Sequence, residues 1–200
     1  MAGTSSSLPY DARLEYLETT RGGDFCVPLG IMADESTDSV EMNFHAITAG
    51  AGTNFIISNN NACRVYTNNS RILSFHRAAS DQWSPATGLN IASNTTFTFN
   101  ISWKDKTYTI NGATNTFSAP NTPTVATEET VLFDFAGSKK VPRCQIYTLK
   151  WRRNGELILD LVPVRKGTLG CLYDNISEKL FYNIGATQFI LGSELANSGI

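Results

Sequence analysis

Acidic residues cluster in only one stretch, ADESTDSVEM, which carries Asp34, Glu35, Asp38 and Glu41. Two carboxylates on one strand face could hydrolyse a glycosidic bond, one as acid and the other as nucleophile or base. The spacing fails that test. In an extended strand Glu35 and Glu41 share a face but stand about 20 Å apart, beyond the roughly 5 to 9.5 Å the reaction uses. The order of acids also departs from that of a calcium-binding loop. His45 and His76 are the only histidines, too few for a three-histidine metal centre, and both are expected as outward strand residues. No serine lies in a Gly-x-Ser-x-Gly turn, and no glycine-rich run precedes a helix to cradle phosphate. Cys26, Cys63, Cys144 and Cys171 are far apart and form no Cys-x-x-Cys, so they are expected as free, buried thiols. The sequence therefore predicts no catalytic residues, no metal and no cofactor, and the chain is expected not to be an enzyme.

Binding needs a different set of side chains. A sugar-binding surface calls for an exposed aromatic platform flanked by amides and hydroxyls. Trp83, in the polar segment SDQWSPATG, is the first candidate, with Tyr66 behind it. Trp103 and Trp151 end alternating apolar rows and are expected in the core. The net charge of −2 leaves no basic field for nucleic acid or an anionic membrane. Lys150, Arg152 and Arg153 flank a turn and are expected as a solvated hairpin end. No apolar run approaches the roughly 20 residues of a membrane span, and the opening MAGTSSSLPYDARLEY lacks the pattern of a signal peptide. A soluble chain made in a cytoplasm is expected.

The elements that would position such residues are strands. In SVEMNFHAIT, Val40, Met42, Phe44 and Ala46 alternate with Glu41, Asn43 and His45; in TFTFNISW, Phe97, Phe99, Ile101 and Trp103 form a second row. This two-residue period is that of half-buried strands. Asn111-Gly112 and Asn154-Gly155 sit between such runs, where positive φ closes tight hairpins. Only 17% of residues are charged, so the surface must be clad largely in Asn, Thr and Ser, which suit turns and strand rims. The absence of an internal repeat argues against propellers and solenoids. The prediction is an all-β, two-sheet antiparallel jelly-roll sandwich occupying 9–194 as a single domain, with a flexible leader over 1–8 and a tail over 195–200. The Thr/Pro/Ala-rich stretch from Ser118 to Thr127 is expected as a connection within that domain. Pro163, with no N–H to donate, is expected at an edge or corner, followed by a crossing of the chain at Gly167 and Gly170. Asp174 is expected to serve the turn that follows it.

The segment WRRNGELILDLVPVRKGTLGCLYDNISEKLFYNIGATQFILG resembles the C-terminal signature of concanavalin A-like (laminin-G-like) jelly-roll domains. Those domains occur in bacteriophage virion proteins and gut-bacterial surface proteins. LEYLETTRGGDFCVPLGI resembles the opening strand pair, with Arg21-Gly22-Gly23-Asp24-Phe25 in place of the usual Gly-Thr-Gln-Tyr-Ile type run. The resemblance implies a non-catalytic virion accessory or structural protein: a capsid-decoration, head-fibre or tail-associated component. It would be made in the host cytoplasm, contact other virion proteins, form a homo-oligomer and touch bacterial surface glycans. The alternative it leaves open is a carbohydrate-binding, lectin-like module of a bacterial surface protein.

Overall fold

The computed structural model describes residues 8–48, 53–59, 62–67, 73–77, 81–83, 94–117, 122–134 and 141–196, with the backbone alone at 48, 75–77 and 81–83. In chain order the strands are β1 (Ala12–Arg13), β2 (Leu17–Glu18), β3 (Val27–Pro28), β4 (Asp38–Thr48), β5 (Asn54–Ser58), β6 (Arg64–Thr67), β7 (Leu73–Arg77), β8 (Asp81–Trp83) and β9 (Thr95–Ser102). They continue with β10 (Thr107–Ile110), β11 (Ala113–Thr116), β12 (Val131–Leu132), β13 (Arg143–Arg153), β14 (Glu156–Lys166), β15 (Leu169–Asp174), β16 (Leu180–Tyr182) and β17 (Ile190–Leu191). No helix occurs among the described residues.

These strands form two antiparallel sheets stacked as a jelly-roll-like sandwich, as the alternation predicts. The larger sheet has eleven strands, running β11-β10-β9-β4-β13-β14-β15-β16, with β1 against β14 and β2 between β13 and β17. The smaller has six, in the order β3-β12-β5-β6-β7-β8. The first strands of the chain are thus held by its last ones.

The core follows from the predicted rows. Val40 pairs with Ile101, Met42 with Phe99 and Phe44 with Phe97, and all six side chains are buried. Trp103 and Trp151 lie in the core as expected, their rings stacked with centroids 6.1 Å apart. Burying rings of this size contributes most of the cohesion of such a sandwich, because each removes a large apolar area from water. Val162, Val164, Cys171 and Tyr173 make a second, smaller cluster beneath Tyr10 and Leu180. It lies on the opposite side of β14 and β15 from the core-facing Leu161 and Leu172.

Two turns match their sequence signals. Asn154 and Gly155 have φ of 51° and 85°, Asn111 and Gly112 of 48° and 85°, the positive pair of a type I′ hairpin turn. Pro163 departs from expectation. It sits within β14, opposite Leu172, rather than at a corner. There β14 changes partner, from Leu149 of β13 at Leu161 to Arg13 of β1 at Val164. The proline carbonyl accepts the Leu14 N–H at 2.9 Å, and the missing N–H, which would point the same way, falls at the junction between the two partners. The chain then makes a tight hairpin, not a crossing: Lys166 pairs with Leu169 around Gly167, whose φ is 60°.

Candidate functional site

Two carboxylates of the acidic cluster, Asp38 and Glu35, hold the fold together. Asp38 is fully buried and accepts hydrogen bonds from Trp151 Nε1 (3.0 Å), Arg153 Nε (2.8 Å) and Arg153 Nη2 (2.9 Å). Arg153 also donates to the Met32 carbonyl, so this residue, expected to be solvated, clamps the end of the sheet. The physical reason is register: β13 places Arg153 directly opposite Asp38. Glu35 is equally buried and accepts from the Thr124 N–H and hydroxyl, both at 2.9 Å. Among the described residues, no group of three or more His, Cys, Asp or Glu is placed to hold a metal ion.

Of the expected sugar contacts, Trp83 ends the short strand β8 rather than lying in a loop, and pairs with Phe75; its ring lies outside the described residues. Tyr66 stands in the middle of β6, only 3% exposed, with its ring 5.8 Å from that of Phe55. The two occupy different register rows of the smaller sheet.

An aromatic surface of the required kind occurs elsewhere, where β15 and β16 meet the loop that follows them. A shallow cleft of about 160 Å³ is lined by Leu169, Tyr182, Thr187, Gln188 and Phe189, with the loop backbone between them. Tyr182 is 39% exposed and pairs with Cys171 across the strands, so its ring stands on a paired hairpin. The opposite wall is held by Asn183. Its Oδ1 accepts the Cys26 N–H (2.6 Å) and the Gly185 N–H (3.1 Å), while its Nδ2 donates to the Thr187 carbonyl (2.6 Å). Thr187 Oγ1 in turn accepts the Asp24 N–H at 2.8 Å. Gly185 lies so close to the Asp24 backbone that a Cβ there would collide with it. Gly170, at the base of the cleft, abuts the Leu17 and Leu191 side chains in the same way.

No charged side chain lines the cleft. It offers a tyrosine face, the exposed Gln188 amide and the polar groups of a loop backbone held by the Asn183 hydrogen bonds. A pyranose has matching character: a patch of C–H bonds on one face and a rim of neutral hydroxyls. Reading the sequence misses Tyr182 and Gln188. The available signal was the alternation in LFYN, which turns Phe181 toward the core and Tyr182 outward.

No protein-family model matches the sequence, and no curated protein matches it. Among solved structures the chain is similar to a protein of Bacteroides ovatus described as a "putative carbohydrate binding protein", at 9% sequence identity and a TM-score of 0.57. The likeness covers 92% of this chain and 62% of that one, so the chain spans under two thirds of its neighbour's length. At this identity the shared property is the fold: an all-β sandwich compatible with lectin-like domains.

Proposed function

We propose that this chain is a non-catalytic carbohydrate-binding module of lectin type, needing no cofactor and built on the concanavalin A-like (laminin-G-like) form of the jelly roll. The observation that carries this reading is the uncharged cleft, with Tyr182 exposed on a hairpin and Asn183 holding the facing loop. A sugar ring stacks on Tyr182 and exchanges hydrogen bonds with Gln188 and the loop backbone. The description of the solved neighbour supports the same class of ligand. No carboxylate lines the cleft, and Glu35 and Asp38 are engaged elsewhere, so nothing there resembles a hydrolytic pair. The ligand on this reading is a bacterial glycan met at the cell surface. The virion role expected from sequence draws no support from the solved neighbour, and the lectin-like alternative takes its place.

Glycan-array screening followed by calorimetric titration tests the proposal. Wild-type protein is expected to bind a neutral glycan saturably. Tyr182→Ala should weaken binding at least tenfold, about 1.4 kcal/mol, at unchanged melting temperature, while Tyr182→Phe, which keeps the ring, should retain most of the affinity. Symmetric self-association on size-exclusion chromatography with no glycan binding would return the virion reading. Turnover of the bound glycan would refute the non-catalytic one.

A further inference from the structure

We propose that the glycan site continues beyond the cleft across the outward face of the larger sheet to the Tyr16–Tyr147 pair, so that the ligand is an extended oligosaccharide and not a single terminal sugar. This rests on the carbohydrate-binding reading. The first argument is size: about 160 Å³ is small beside the roughly 300 to 1,000 Å³ of pockets that enclose a drug-sized ligand. The cleft accommodates one part of a longer molecule.

The second argument is register. From Gln188 at the cleft the chain enters β17, and there a single row of paired residues begins. Ile190 pairs with Glu18, Glu18 with Gln145, Gln145 with His45 and His45 with Thr96. Directly opposed residues share a face, and the alternate residues Leu17, Ile146 and Phe44 lie in the core with Leu191 packed against it, so this row points away from the core; within it Ile190 is exposed, Gln145 and His45 are half-buried and Glu18 is buried. Five strands at about 4.8 Å give a track of roughly 19 Å running away from the cleft.

The third argument is a second aromatic platform beside that track. A bulge between Ile146 and Thr148 inserts an extra residue between the inward Ile146 and Leu149, which leaves Tyr147 and Thr148 both facing outward. The Tyr147 ring meets Tyr16 edge-on, with centroids 5.8 Å apart, and both residues are half-buried. A hydrogen-bonded relay fixes the platform. Tyr147 Oη donates to Gln145 Oε1 (2.9 Å), Gln145 Nε2 donates to Glu18 Oε2 (2.8 Å), and Glu18 Oε1 takes Arg143 Nη2 (2.7 Å). Tyr16 is seated on Gly192, where an added Cβ would lie only 2.8 Å from the Tyr16 backbone. At the far end His45 is held by Thr96 (2.9 Å) and Asn94 (2.8 Å). Rigid rings and pre-oriented amides lose little entropy when a sugar chain settles on them.

Titration of the full chain with methyl glycosides of D-glucose, D-galactose and D-mannose, and with the linear tetrasaccharides of each, tests the inference. At least one tetrasaccharide is expected to bind tenfold or more tightly than its methyl glycoside. Tyr147→Ala should lose at least fivefold against that tetrasaccharide and nothing against the methyl glycoside, with Tyr147→Phe, which keeps the ring but drops the bond to Gln145, losing less than Tyr147→Ala. In wild-type protein, the NMR signals of the His45 ring should shift with the tetrasaccharide alone. Equal affinity for both lengths, or an equal loss for both in Tyr147→Ala, would confine the site to the cleft and overturn the inference while leaving the glycan reading intact. Failure of every probe to bind would overturn both.

Discussion

Asp174 accepts hydrogen bonds from the N–H groups of Asp160 (2.8 Å), Ile176 (3.2 Å) and Ser177 (3.0 Å) and from the Ser177 hydroxyl (2.6 Å). Burial alone would raise its pKa, but these donors more than offset that and hold the carboxyl below its ordinary value of 3.8. The folded state therefore favours the ionised form. The resulting stability is fully present above about pH 4 and is lost as pH falls through the lower folded-state pKa. Asp174→Ala is expected to cost about 3 kcal/mol at pH 7, with the gap to wild type narrowing by pH 3, as urea midpoints at the two pH values would show. The turn role of Asp174 was legible in the sequence because Ile176 and Ser177 lie within three residues of it; the Asp160 N–H, 14 positions away, comes only with the pairing of β14 and β15. The Asp38–Arg153 pair was not, because 115 positions separate the partners and only the pairing of β4 with β13 joins them. Asp38→Ala is expected to lower stability by about 3 kcal/mol, measurable in the same denaturation series, since it strands a half-buried guanidinium and the indole N–H.

Among elements, the hairpins and the long strands were the most readable, because the two-residue period and Asn-Gly turns are local signals. Gly155, at φ 85°, is the place to test this. Gly155→Ala forces a side chain into that region and is expected to cost about 1 kcal/mol, whereas Asn154→Gly should be close to neutral in thermal melts. Proline gave a weaker signal. The missing N–H of Pro163 was evident, but which neighbour it would fail to meet depends on where β14 exchanges β13 for β1, and that is a tertiary fact. The cleft was illegible for the same reason. Leu169, Tyr182 and Phe189 become neighbours only when β15, β16 and the following loop are assembled, and each taken alone reads as packing.

For the molecule as a whole, the thiols report on its cohesion. Cys63, Cys144 and Cys171 are buried and Cys26 is half-buried. Burial, acting ahead of all other causes, pushes Cys144 up to about 12 and Cys26 and Cys171 up to about 11. Thiolate is the reactive form, so the native protein at pH 8 is expected to resist a disulfide-exchange reagent at all four sites and to react fully in denaturant, at a rate set by unfolding. The lacing of β2 between β13 and β17 carries a different consequence, one for biosynthesis. Leu17 leaves the ribosome with apolar surface to hide and with partners, Ile146 and Leu191, that do not yet exist. At about 5 to 20 residues per second the wait is on the order of ten seconds or more, and contacts this remote in sequence close slowly. The sandwich should therefore assemble only once nearly all of it has been translated, and the unpaired opening strands are where a chaperone would have most to shelter.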